Sequence, residues 1–186
     1  MDGEVTIKDT TGSPAPLGFL GLGFAAAFLG MPALGLFSDF TMIIAMAITL
    51  GGFAQLFAGL ELWKKGDTFG ATAFTAFALW WFSWAYIQIA TTVGFLGAPL
   101  PAASAESIMY YLLFWGIIAT LLTIVTLKIG VMGITVVFVL LDLTFFSNAL
   151  VGGMIAGVIT FLLGLASLYL GVALVMDEVG KIKVPY

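Results

Sequence analysis

Polar side chains are scarce in this sequence, and the few that fall inside apolar stretches mark where chemistry would have to take place. Asp142 is the clearest case, flanked by VVFVLL on one side and LTFF on the other. A carboxyl group in such surroundings favours its neutral acid form, which makes Asp142 a candidate proton carrier. On a helix it shares a face with Thr135, Phe138, Phe145 and Ala149, so it could equally hydrogen-bond a neighbouring helix. Gln55 is the second case: an amide buried in lipid needs partners, so it either locks a helix pair or lines a polar path. The third is the run Ser13-Pro14-Ala15-Pro16-Leu17-Gly18. Ser13 suits an N-cap, and proline is tolerated in a first turn where its missing N–H costs nothing. Free amides there, at the positive end of the helix dipole, could attract a carboxylate; the plainer reading is a rigid helix start with no ligand. Glu61, close to Lys64 and Lys65, reads as a solvated interfacial residue.

What is missing narrows the chemistry further. The chain has no cysteine and no histidine, and its six basic residues are all lysine. Disulfides, thiolate metal sites and cysteine nucleophiles are therefore excluded. A membrane enzyme would have to work without His, Cys or Arg, with its remaining carboxylates scattered among loops. There is no P-loop for an ATP-driven pump and no patch suited to nucleic acid, and neither a metal nor another cofactor is expected.

The elements that must position these residues are membrane helices. Of the 186 residues, 62% are hydrophobic and 9% charged, with a mean hydropathy of +1.18, far outside the soluble globular range. Six apolar segments of about 20 residues, the length that spans a bilayer, lie at Leu17 to Phe37, Thr41 to Leu62, Phe69 to Val93, Ser107 to Leu127, Val131 to Ser147 and Val151 to Met176. The expected organisation is an all-α polytopic fold: a polar tail over 1–14 with no apolar core of a cleavable signal, one transmembrane domain over 15–176, and a second tail over 177–186. With six spans, Lys8, Lys64, Lys65, Lys128, Lys181 and Lys183 all fall on one side, so both termini are expected in the cytoplasm and Asp39 and Glu106 outside. Gly51 to Phe77 then forms a helical hairpin with a cytoplasmic turn.

Small residues predict close helix contacts. Ala47, Gly51, Ala54 and Ala58 make one stripe, and Gly157, Gly164 and Gly171 recur every seven residues, with Gly153 completing a G-x-x-x-G. The partner of that second stripe, a helix of the same chain or a second subunit, is open at this level. Trp63, Trp115, Tyr86 and Tyr110 fit interfacial belts or core packing.

Two stretches carry a resemblance. Gly51, Gly52, Ala54, Gln55, Ala58 and Gly59, followed by Lys64-Lys65-Gly66-Asp67-Thr68-Phe69-Gly70 and Thr72-Ala73-Phe74-Thr75-Ala76-Phe77, are similar to the motifs at the second and third helices of the acetate uptake transporter family, which includes bacterial acetate/succinate permeases and archaeal and yeast relatives. Ser13 to Phe19 resembles the same family's N-P-A-P-L-G-L. Asp67 replaces its Asn, Ala76-Phe77 its Ser-Tyr, and the family's glutamate would fall at Leu62, beside Glu61.

The resemblance implies uptake of small monocarboxylates, acetate first and succinate after it, through a homo-oligomer, commonly a hexamer with one path per subunit. It also implies a narrow apolar neck built from the first, third and fifth helices. By motif position the neck residues are Leu22, where the family has Phe, Phe77, where it has Tyr, and Leu140. Ser13, Ala15, Leu17, Gly18, Gln55, Thr72 and Thr75 are the expected substrate contacts that flank it. A neutral-solute channel of the urea and amide type fits six short-looped helices as well, and a purely structural assembly subunit would pass no solute.

Overall fold

The computed structural model describes residues 11–37, 39–94 and 98–186, so Lys8 and most of the N-terminal tail lie outside the described residues. Among these, six helices run in chain order: α1 (Ala15–Gly30, continued by a 3-10 turn Met31–Leu34), α2 (Phe40–Lys64), α3 (Thr68–Val93), α4 (Ala105–Ile129), α5 (Met132–Leu150) and α6 (Gly153–Glu178). Five are long and apolar enough to cross a membrane by composition alone; the exception is α3. Its length of 26 residues is sufficient, but it carries Thr68, Thr72, Thr75, Ser83, Gln88 and three tryptophans among its apolar residues. Those residues lower its mean hydropathy, and of its tryptophans Trp80 and Trp81 are buried.

Local signals account for the helix ends. The Asp39 carboxylate accepts from Thr41 N–H at 2.9 Å, Asp67 from Gly70 N–H at 2.8 Å, and Ser104 Oγ from Ser107 N–H at 3.1 Å, each satisfying an amide left over in a first turn. The weak break between the last two segments is a pair of glycines, Gly152 at φ 67° and Gly153 at φ 59°, in a backbone region that residues with a Cβ rarely adopt. The start of α1 differs from the expected cap. Pro14 occupies the N-cap position, and Ser13, one residue earlier, accepts from Ala15 N–H at 3.3 Å while its own N–H donates to Glu178 Oε1 at 3.1 Å.

The middle of α2, Ala47–Ala54, is a π-helix, a wider turn that amphipathic spacing does not reveal. Its small residues face neighbours at close range. A Cβ on Gly51 would stand 2.6 Å from the Trp81 ring of α3. Ala47 and Ala58 are fully buried.

The glycine stripe of α6 packs within the same chain. Gly164 lies against the backbone of Ala27, Gly157 against Ala33, and Gly171 against Leu20 and Pro16 O, so α1 and α6 form the tightest pair of helices. Elsewhere α2 packs on α1 and α3, α4 on α5, and α5 on α6. The centre between α1, α3 and α5 is filled by side chains. Phe19 meets Phe74 edge-on at 5.0 Å, and Phe77 lies 6.3 Å from Phe138 and 6.1 Å from Phe145, centroid to centroid.

Candidate functional site

Three cavities follow one another through this centre. The first, on the side of the Lys64–Lys65 turn, has room for water-sized contents of about 60 Å³ and is walled by Ala15, Phe19, Leu22, Gln55, Asp67, Phe74, Phe77, Phe138 and Leu141, among others. The second, of about 10 Å³, is bordered by Leu22, Ala26, Phe77, Trp80, Leu141, Thr144 and Phe145. The third, of about 260 Å³, is reached past Leu29, Trp80, Thr144 and Phe145 and extends to Trp84, Ile108 and Asn148. Leu22, Phe77 and Leu141 border both the first and the second cavity, and they are 4%, 3% and 4% exposed. They stand as one side chain from each of α1, α3 and α5. A site needs about 10–15 Å³ of such room to hold one water, so the second cavity has space for one water at most.

Gln55 brings an amide to the wall of the first cavity. It is fully buried at the end of the π-helix, and its Nε2 donates to Gly51 O at 2.9 Å, one turn back on its own helix. Because that partner is a carbonyl, the bonded end must be the nitrogen, and Gln55 Oε1 is the end left without a partner. That oxygen can only accept, from an N–H or an O–H.

The sequence matches the family described as GPR1/FUN34/yaaH over residues 3–181. The chain is 34% identical over 172 residues to the succinate-acetate/proton symporter SatP of Escherichia coli (strain K12), covering 89% of each. It is 36% identical over 186 residues to an uncharacterized protein of Methanothermobacter thermautotrophicus, covering 94% of this chain and 90% of that one. A solved structure described as the bacterial acetate channel SatP superposes with a TM-score of 0.86 at 33% identity, over 95% of this chain and 99% of that one. The chain belongs to the GPR1/FUN34/yaaH family. It is a multi-pass protein of the plasma membrane.

Measured against the line of the three cavities, the residues expected from the motifs separate into two groups. Ala15, Leu22, Gln55 and Phe77 all wall the first cavity, and Gly18 packs against the Phe74 ring, where a Cβ would approach to 2.6 Å. The others face elsewhere. Leu140 is half-buried against the core and borders none of the three cavities, whereas Leu141, about 100° further round the helix, borders the first two. Leu17 is 44% exposed on the outer side of α1, and Ser13 and Thr72 are exposed as well. Thr75 sits where α2 and α3 touch, its hydroxyl against Gly59 with no hydrogen-bond partner. Asp142 also lies off the line: Thr123 Oγ1 of α4 donates to Asp142 Oδ2 at 2.8 Å, which ties α4 to α5 behind Leu141.

Leu141, Trp80 and Thr144 border the cavities without standing out in the sequence. Leu141 gives no signal beyond its position in an apolar run. Trp80 is one of several aromatics attributable to packing, and Thr144 one of several hydroxyls that fall within apolar helices. Asp67 does carry a signal, as the residue that replaces the family's Asn, and it both caps α3 and walls the first cavity.

Proposed function

We propose that this chain is a membrane channel or transporter for small monocarboxylates, acetate first and succinate after it, which cross through the line of cavities between α1, α3 and α5. The observation that carries this reading is the placement of Leu22, Phe77 and Leu141. One apolar side chain from each of the three central helices separates two cavities within a chain that belongs to this family. An apolar neck of this kind gates by excluding water, and a carboxylate that sheds its hydration there depends on polar groups at either end. Gln55 stands on one side, where its free Oε1 would accept from water or from the undissociated acid rather than from the anion.

The lysines support an orientation with the first cavity and both terminal segments, 1–14 and 177–186, in the cytoplasm. The subunits form a homo-oligomer of hexameric size with one path in each, the protein acts as a transporter and not an enzyme, and no cofactor takes part. Hexamer mass by native mass spectrometry in detergent checks the assembly.

Purified protein in liposomes tests the function. Acetate should enter faster than in empty vesicles and faster than urea, and comparison with and without an imposed pH gradient separates proton-coupled uptake from anion channelling. Urea flux without acetate flux would replace this reading with a neutral-solute channel, and no flux of either would leave a structural subunit.

A further inference from the structure

One charge borders the three cavities. Asp67, in the turn between α2 and α3, is the single charged side chain among the described residues that wall any of them, and it is exposed at the lysine-side end of the first. Its Oδ1 accepts from Gly70 N–H at 2.8 Å, and among the described residues no cation pairs with it. The lysines beside it in the chain are turned to other groups. Lys64 Nζ meets Glu61 Oε1 at 2.7 Å, and Lys65 Nζ donates to Thr11 Oγ1 at 2.6 Å and Thr11 O at 3.0 Å. Neither lysine walls a cavity of the path. Capping accounts for a polar side chain at this position but not for a charged one, because Asn and Ser accept a first-turn N–H as well as Asp does. A fixed negative charge on the wall of an otherwise apolar cavity acts on each anion that enters, and more strongly the more charge the anion carries.

We propose that the Asp67 carboxylate is a charge filter at the lysine-side end of the path, which disfavours succinate relative to acetate because succinate carries two negative charges at neutral pH and acetate one. The filter rests on the reading that the path carries small carboxylates. In water, a unit negative charge about 6 Å away lowers the occupancy of a monoanion about threefold and that of a dianion about tenfold. The order of acetate before succinate then has an electrostatic origin, in addition to any limit set by the width of the neck. An undissociated acid passes Asp67 without this penalty.

Initial uptake rates of acetate and succinate in liposomes at neutral pH test the filter. Asp67→Asn and Asp67→Ser both remove the charge and keep an N-cap acceptor, so the unfolding midpoint in detergent should stay at the wild-type value. In both variants acetate uptake should rise about threefold and succinate uptake about tenfold, so that the succinate-to-acetate ratio rises about threefold. A ratio unchanged from wild type in both variants overturns the filter and leaves the transport reading standing. A rise in one variant alone does the same, because it traces to side-chain shape and not to charge. Absence of acetate uptake by the wild-type protein removes the transport reading and the filter together. Should Asp67→Ser fail to assemble, Asp67→Asn decides alone.

Discussion

Phe77 is the one aromatic residue of the proposed neck, and its effect on selectivity can be separated from its effect on packing. It touches Trp115, Phe138 and Phe145 at centroid distances of 5.9, 6.3 and 6.1 Å, so Phe77→Ala leaves a cavity that costs roughly 3–5 kcal/mol by the behaviour of soluble cores. Flux is therefore compared per folded protein. The lactate-to-acetate flux ratio should rise in Phe77→Ala and in Leu141→Ala and stay at the wild-type value in Leu140→Ala, and Phe77→Tyr should keep or raise acetate flux by placing a hydroxyl in the neck. A ratio that responds to Leu140 and ignores Leu141 would move the neck to the other face of α5. Asp142 belongs to a different class of residue. Its bond from Thr123 crosses a helix interface at 2.8 Å, and such bonds within membrane proteins are worth about 0.6–1.7 kcal/mol. Asp142→Asn should lower the midpoint of thermal unfolding in detergent while acetate uptake per folded protein persists. Abolished proton-coupled uptake in a well-assembled Asp142→Asn would instead make this carboxyl the proton carrier.

Helix pairs in this molecule are set by how closely backbones approach, because lipid supplies no hydrophobic force between them. The α1–α6 pair is the extreme case. Gly164 abuts Ala27, while Gly23 and Gly30 on α1 face Leu168 and Phe161 on α6, so glycines from both helices interlock. A side chain at Gly164 has no space to enter, and the helices would have to part. Gly164→Val should destabilise the protein by about 1–3 kcal/mol, the usual cost of overpacking, read as a lower unfolding midpoint and a smaller assembled fraction on size-exclusion chromatography. Ala149→Val, at a half-buried position of α5 away from this contact, is the control for added volume. The π-helix of α2 acts at the same scale. Its wide turn leaves the Gly51 carbonyl to the Gln55 amide, so the bond of 2.9 Å that anchors Gln55 depends on a backbone feature of the whole element.

For the molecule in its membrane, the prediction concerns which side each mouth faces. The absence of cysteine allows single cysteines to be introduced without a competing background. Lys64 and Ala103 are both exposed, on opposite ends of the helices, whereas Gly66 is a poor site because its φ of 75° disfavours a side chain. An impermeant thiol reagent added to intact cells should label Ala103→Cys and spare Lys64→Cys. The opposite pattern would invert the molecule and place the first cavity on the outer side.

Residue order alone determined the class of protein, its six helices and the family, because apolar length and motif spacing are local properties that a bilayer reads directly. The hairpin of α2 and α3 was legible for the same reason, whereas the cavity wall that Leu22, Gln55 and Phe77 share was not, since they lie on three different helices. Tertiary structure alone decided matters of facing. It turned Leu141, and not Leu140, to the wall of the first two cavities, placed Thr72 and Leu17 on the outside, and matched the glycine stripe of α6 with α1 of the same chain. The physical reason is that a membrane helix is apolar on every side, so periodicity does not tell its inner face from its lipid face. Only the neighbours that pack against it make that distinction.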